Sequence, residues 1–226
     1  MPECEARAQP DPGARVQRRG WYSAAVPASR AARKPPGLSR ALVVGQRVFL
    51  RRPAPGDCAE FLQRMRDSRS LHASYTPPMS SRADYEAMLR RGRQKNRVMM
   101  VVCRLEDGAI VGQINLNDII RGVTQQAYIG YHAFVPFQGR GYMTEGLDLA
   151  LRYAFRGLKL HRIEAGIQPG NERSIALVNR LGFRYEGTAR RLLKLAGRWR
   201  DHERWAILAE EWRPQRTSRR DRSIGA

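Results

Sequence analysis

The run Gln138-Gly139-Arg140-Gly141-Tyr142-Met143 constrains the fold more than any other stretch of this chain. It follows a strand-like run at 127–135 and opens a segment of helical apolar period at 144–158. Two glycines between a strand and a helix let the backbone turn sharply and leave its N–H groups exposed. Those donors, with the positive end of the helix, make a ready cradle for phosphate. A plain tight turn has the same spelling, so the loop has to be read with its surroundings.

The chain has 226 residues, enough for one medium domain with tails, and 42% of them are hydrophobic, enough for a core. No apolar run approaches the roughly 20 residues of a membrane span. Cys4, Cys58 and Cys103 are scattered, odd in number and without metal-ligand spacing. This suits a reducing cytoplasm and argues against a disulfide framework and a zinc site, so no metal is expected. Of the net charge of +20, segments 1–44 and 214–226 carry +5 and +3, leaving +12 on 45–213. A basic surface of this kind favours polyanions such as CoA, RNA or ribosomes. Arg outnumbers Lys 37 to 4, so compositional bias is the competing explanation.

Residues 1–45 read as a disordered basic extension or a mis-assigned start, rich in Ala, Pro, Gly and Arg. The domain is expected over 46–213, with a basic tail at 214–226. Its first strand is expected at 47–51. Asp57 and Glu60 have capping-box spacing before the apolar positions Cys58, Phe61, Leu62 and Met65. Ser81 and Asp84 do the same before Tyr85, Met88 and Leu89. Strands are expected at 97–105 and 109–116, joined by Asp107-Gly108, then at 127–135 and 162–167, with two closing strands at 183–189 and 200–209. Helices are expected at 144–156 and 172–181, the second with Asn171 as N-cap and Gly182 after its end.

A second marked stretch, Gln168-Pro169-Gly170-Asn171-Glu172-Arg173-Ser174, runs through that last helix to Leu181-Gly182-Phe183. The pair resembles motifs A and B of the GNAT N-acetyltransferases, with Met143 at the final small-residue position of the first. Asp118-Ile119-Ile120-Arg121-Gly122, Tyr128-Ile129-Gly130-Tyr131, Leu160-His161-Arg162 and Trp199-Arg200-Asp201-His202 resemble the RimJ branch, the ribosomal-protein-alanine N-acetyltransferases, where Met at that position also occurs. The likeness spans roughly 46–213. It implies an α/β GNAT fold: a mixed, mostly antiparallel sheet of about seven strands flanked by helices, splayed between strands 4 and 5. It also implies acetyl-CoA as donor, with pyrophosphate on Gln138, Gly139, Arg140, Gly141, Tyr142 and Met143. The pantetheine arm would pair with the strand ending at Phe134 and Val135 and touch Asn171, with Ser174 near the sulfur.

Acyl transfer to an amine must take a proton from ammonium and return one to thiolate. The Glu and Tyr that related enzymes use fall here on Gly166 and Val178. A serine acid carries over to Ser174, while its partner glutamate falls near Leu193. Glu164, on the same strand face as Gly166, is a candidate base or a structural ion pair. Tyr131 and Tyr128 are candidate thiolate acids or core residues. Proton removal through ordered water needs no dedicated base. Asn115, Arg121 and His202 are read as lining the acceptor side, with a polar turn and a surface histidine as the plainer explanations. Cys58 and Cys103 lie away from both motifs, so direct attack without an acetyl-enzyme is expected. The acceptor expected is the N-terminal alanine amine of a ribosomal protein, with docking to the small ribosomal subunit and rRNA contact through the basic surface. The enzyme would be a cytoplasmic monomer or homodimer, with no membrane partner. The competing readings are an acetyltransferase of small amines and a non-catalytic CoA-binding factor in ribosome assembly.

Overall fold

A computed structural model describes residues 34–72, 79–195 and 197–214. Eight strands form one sheet: β1 (Ala41–Val44), β2 (Val48–Arg51), β3 (Val98–Arg104), β4 (Ile110–Ile120), β5 (Gln126–Ala133), β6 (Arg162–Ile167), β7 (Arg184–Leu195) and β8 (Arg198–Leu208). Their order is β1-β2-β3-β4-β5-β6-β8-β7. Every neighbouring pair is antiparallel except β5 and β6. Helices α1 (Cys58–Asp67), α2 (Arg69–His72) and α3 (Arg82–Arg91) lie between β2 and β3 in the chain. Helix α4 (Tyr142–Arg152), extended by a π turn at Tyr153–Gly157, joins β5 to β6, and α5 (Glu172–Arg180) joins β6 to β7. None of the helices among the described residues is long and apolar enough to cross a membrane.

The apolar run in β3 explains why both sheet faces are covered. Alternate residues of a strand point to opposite faces, so a strand without polar residues needs packing on both. Val98, Met100 and Val102 pack with Leu147, Leu151 and Ala154 of α4 and its extension. Met99, Val101 and Cys103 pack with Phe61 and Met65 of α1 and Tyr85 and Met88 of α3. Phe61 meets Phe134 edge-on, with ring centroids 5.4 Å apart, tying α1 to the end of β5.

Three expectations change. The sheet has eight strands because β1, at 41–44, pairs with β2. The domain therefore starts earlier than residue 46; residues 1–33 and 215–226 lie outside the described residues. The capping box at Asp57 and Glu60 does not form. Asp57 instead takes two N–H groups from the Arg51 guanidinium, at 2.6 and 2.9 Å, and one from Ala54 N at 2.8 Å. Glu60 accepts from Ile110 N at 2.9 Å. Arg51 is 5% exposed, and leaving such a charge unpaired costs roughly 3–5 kcal/mol, more than a cap returns. The box at Ser81 and Asp84 faces no such competition and forms, with bonds of 3.0 and 3.1 Å.

Candidate active site

Strands β5 and β6 pair only at Gln126–Arg162, Ala127–Ile163 and Tyr128–Glu164. Beyond Tyr128 they diverge, and residues 129–132 of β5 and 165–167 of β6 line a cavity of about 630 Å³. Gly130 and Gly166 sit just past the divergence, one on each strand, so neither adds a side chain to the gap. The other walls come from α1 and α3 (Phe61, Met65, Ala87, Met88), the start of α5 (Asn171, Ser174) and the β7–β8 hairpin (Leu193, Leu195, His202).

The glycine loop lies where β5 hands over to α4. Gly139 and Gly141 have φ of 74° and 80°, and Gly141 is the N-cap of α4, without a side-chain cap. A Cβ at Gly139 would meet no atom within 4 Å, and at Gly141 only Arg47 Nη1, at 3.6 Å. The loop is thus open to a ligand, with the first turn of α4 behind it. Arg47 Nη2 donates to Arg140 O at 2.7 Å, and its guanidinium lies 4.4 Å from the centre of the Tyr142 ring. Hydrogen bonds from Arg104 and Arg47 lower the Tyr142 phenol below its ordinary range. Arg47 and Arg140 therefore bring positive charge to the loop, while the Arg104 guanidinium is paired with Asp107 and Glu106.

The family model of the GNAT acetyltransferase domain matches residues 47–184. The chain belongs to the GNAT acetyltransferase family. It is 46% identical over 102 residues to a probable N-acetyltransferase, YjcK, of Bacillus subtilis, covering 45% of this chain and 56% of that one. It is 40% identical over 111 residues to the [ribosomal protein uS5]-alanine N-acetyltransferase of Escherichia coli, covering 49% and 57%. The chain thus spans about half the length of the curated relatives it matches. Among solved structures it resembles Mycobacterium smegmatis RimJ in complex with CoA-disulfide, at 32% identity and TM-score 0.65, covering 73% of this chain and 83% of that one.

In this GNAT domain the sequence-predicted residues outside the glycine loop fall into two groups. Tyr131, Asn171, Ser174, Asn115 and His202 all line the cavity. The Tyr131 hydroxyl donates to Ser174 O at 3.3 Å, linking β5 to the first turn of α5. Burial pushes the Tyr131 phenol up to about 12, so it stays a proton donor at neutral pH. Asn171 caps α5 by accepting from Ser174 N at 3.3 Å. Asn115 accepts from Gln113 Nε2 at 3.1 Å.

Four residues lie elsewhere. Glu164 is 4% exposed and does not line the cavity; Arg162 Nε and Arg204 Nη2 hold its two carboxylate oxygens at 2.8 and 3.0 Å. Arg121 donates to Leu158 O at 2.9 Å, tying the β4–β5 turn to the chain after α4. Phe134 is fully buried, with its N–H on Val111 O and its O accepting from Phe137 N. The Val135 N–H goes to Ser68 Oγ at 3.0 Å. The β5 residues that face the cavity are therefore 129–132, earlier than the expected pair.

Sequence reasoning missed one wall of the cavity. Met65, Met79, Met88 and Met99 converge there with Phe61, and Arg91 and Arg97 stand beside them. The signal was the run of methionines on amphipathic segments, which reads as ordinary core until the elements are placed. Cys103 is fully buried and burial pushes its thiol up to about 12, which leaves it inert as a nucleophile.

Proposed function

We propose that the protein transfers acetyl from acetyl-CoA to a primary amine, the N-terminal alanine α-amine of a ribosomal protein. The observation that carries this reading is the gap between β5 and β6, where Tyr131 and Ser174 stand beside an open backbone edge of β5. Residues 138–143 and the first turn of α4 would hold the pyrophosphate. The extended pantetheine arm would enter the gap and bond to the unpaired edge of β5, as an added strand does. Acetyl-CoA supplies an activated carbonyl; the protein binds it, orients it and manages two protons. Tyr131, kept protonated by burial, is suited to protonate the departing thiolate.

The choice of acceptor rests on charge. Asp84 is the carboxylate among the cavity residues, and it already accepts from Ser80 and Ser81 N–H. Arg91 and Arg97 share that wall. Polyamines and aminoglycosides carry several ammonium groups and call for several carboxylates, whereas an N-terminal alanine adds only an apolar side chain to its one α-ammonium and suits methionine contacts. The likeness to the uS5-alanine enzyme points the same way, and the net basic charge suits a ribosomal partner.

A mass-spectrometric acetylation screen tests the reading. Alanine-led N-terminal peptides of ribosomal proteins should gain acetyl on the α-amine, while spermidine and aminoglycosides should not. Turnover of spermidine with no peptide product would replace the acceptor assigned here. CoA binding without transfer to any amine would favour an assembly factor instead.

A further inference from the structure

We propose that the His202 imidazole is the general base that takes the proton from the attacking amine, through its Nε2 atom. This rests on the acetyl-transfer reading and supplies the proton acceptor that reading lacks.

His202 lies on β8, 2% exposed to solvent yet lining the cavity. Its Nδ1 is 3.0 Å from Arg200 O. A carbonyl oxygen can only accept, so Nδ1 carries the hydrogen and Nε2 of the neutral ring keeps its lone pair. The ring lies against β6, with Cδ2, the carbon next to Nε2, 3.8 Å from where a Cβ on Gly166 would stand. Gly166 is the position at which related enzymes carry a glutamate. The imidazole thus stands, on the neighbouring strand, in van der Waals contact with the point where a residue 166 side chain would begin.

The other cavity groups are unsuited to the task. Hydrogen bonds from Ser81 and Ser80 hold the Asp84 carboxyl below its ordinary range, which makes it a weak base, and Arg91 and Arg97 are cations. Tyr131 is held protonated, while burial and the adjacent His72 push His132 down to about 3. Glu164 sits outside, between two arginines. The groups around His202 are Gly166 on β6, Leu192 and the register partner Ala189 on β7, and Arg200 and Arg204 two residues away on β8. Asp201, on the opposite face of β8, accepts from Arg191 N at 2.7 Å.

The step balances without a further reactant. An ammonium N–H proton passes to Nε2, and the freed nitrogen pair forms the N–C bond to the thioester carbonyl. The tetrahedral intermediate collapses: the C–S bond breaks with its electron pair on sulfur, the Tyr131 hydroxyl gives its proton to the thiolate, and the second N–H proton of the new amide passes through cavity water to restore the tyrosine. The imidazolium then returns its proton to cavity water.

His202→Asn tests this, because the Asn amide can still donate to Arg200 O but has no base at the Nε2 position. With an alanine-led uS5 peptide, kcat/KM should fall about 100-fold or more at neutral pH. The deficit should close above the α-amine range of about 7.7–8.0, where the substrate arrives already deprotonated. CoA affinity by calorimetry and the KM for acetyl-CoA should stay near wild type; a merely structural role would instead weaken both and leave the pH profile alone. Wild-type kcat/KM and an unchanged acidic limb in His202→Asn would overturn the assignment. Nitrogen-15 spectra of the free protein's imidazoles need no acceptor: protonated Nδ1 is expected at His202, and protonated Nε2 sinks the proposal. A wild-type protein inactive on the peptide would count against the acceptor, and the tautomer spectrum would still decide the base.

Discussion

Met143 stands where the motif of the family favours a small side chain, and Gly112 on β4 makes room for it. A Cβ at Gly112 would run into the Met143 thioether and lie 2.7 Å from His132 O on β5. The first neighbour is flexible and the second is backbone. Gly112→Ala should therefore cost about 1–3 kcal/mol of stability in urea unfolding. Adding Met143→Ala should recover only the part due to the sulfur, leaving a positive coupling between the two sites. Full recovery in the double variant would mean that the β4–β5 backbone contact is not limiting. The glycines at 139 and 141 were legible because their function is local. That of Gly112 was not, because it depends on the register that sets it opposite Ala133. The same limit applies at Gly166. The missing glutamate was visible in the chain, but that His202, two residues from the register partner Arg204, comes against Gly166 was not. Glu164 shows the converse. Strand alternation correctly puts it on one face with Gly166, but Arg162 and Arg204 claim its charge.

Between elements, Glu145 joins the β1–β2 turn to the glycine loop. Its Oε1 accepts from Gln46 N at 2.6 Å, Arg47 N at 2.9 Å and, more weakly, Val48 N at 3.4 Å. Arg47 in turn bonds Arg140 O and covers Tyr142. Gly45 is needed beside it, since a Cβ there would strike the same carboxylate oxygen. Glu145→Ala should lower stability by about 1–3 kcal/mol and weaken CoA by less than about tenfold, because the loop stays but its brace is gone. Gly141→Val should abolish CoA binding in a folded protein, since a branched side chain at φ 80° is strained and crowds the loop. Calorimetric titration with CoA separates the two; equal losses would place Glu145 at the ligand itself. The helices and most strands were legible from apolar period and turn residues. Strand β1 was not, because its Ala-Leu-Val-Val run is four residues long and follows a Pro-rich stretch. Nor was the failed cap at Asp57, where the decisive partner, Arg51, arrives from β2.

At the scale of the whole molecule, the sheet carries a core on each face, and the cavity meets the α1–α3 core through a ring cluster. The His132 ring lies 5.0 Å from His72 and 5.2 Å from Phe134, centroid to centroid. His72 Nε2 donates to Ala133 O at 2.7 Å, a bond that favours the charged ring but is outweighed by burial. Burial lowers His72, and burial with the neighbouring His72 lowers His132 to about 3. Both groups are thus held below the unfolded histidine value of about 6.5. The unfolded chain therefore binds more protons in this window, and the stability from neutral burial is complete above the unfolded value and lost as pH falls toward the folded one. Each pH unit below about 6.5 should remove up to about 1.4 kcal/mol through His132 alone. His132→Phe keeps an aromatic ring in the cluster and deletes the titration. Its melting temperature should fall less than wild type's between pH 6.5 and 4.5, with the carboxylate contribution common to both proteins. Parallel curves would mean that the folded protein accepts the proton through the cavity, so that His132 does not resist charging where it stands.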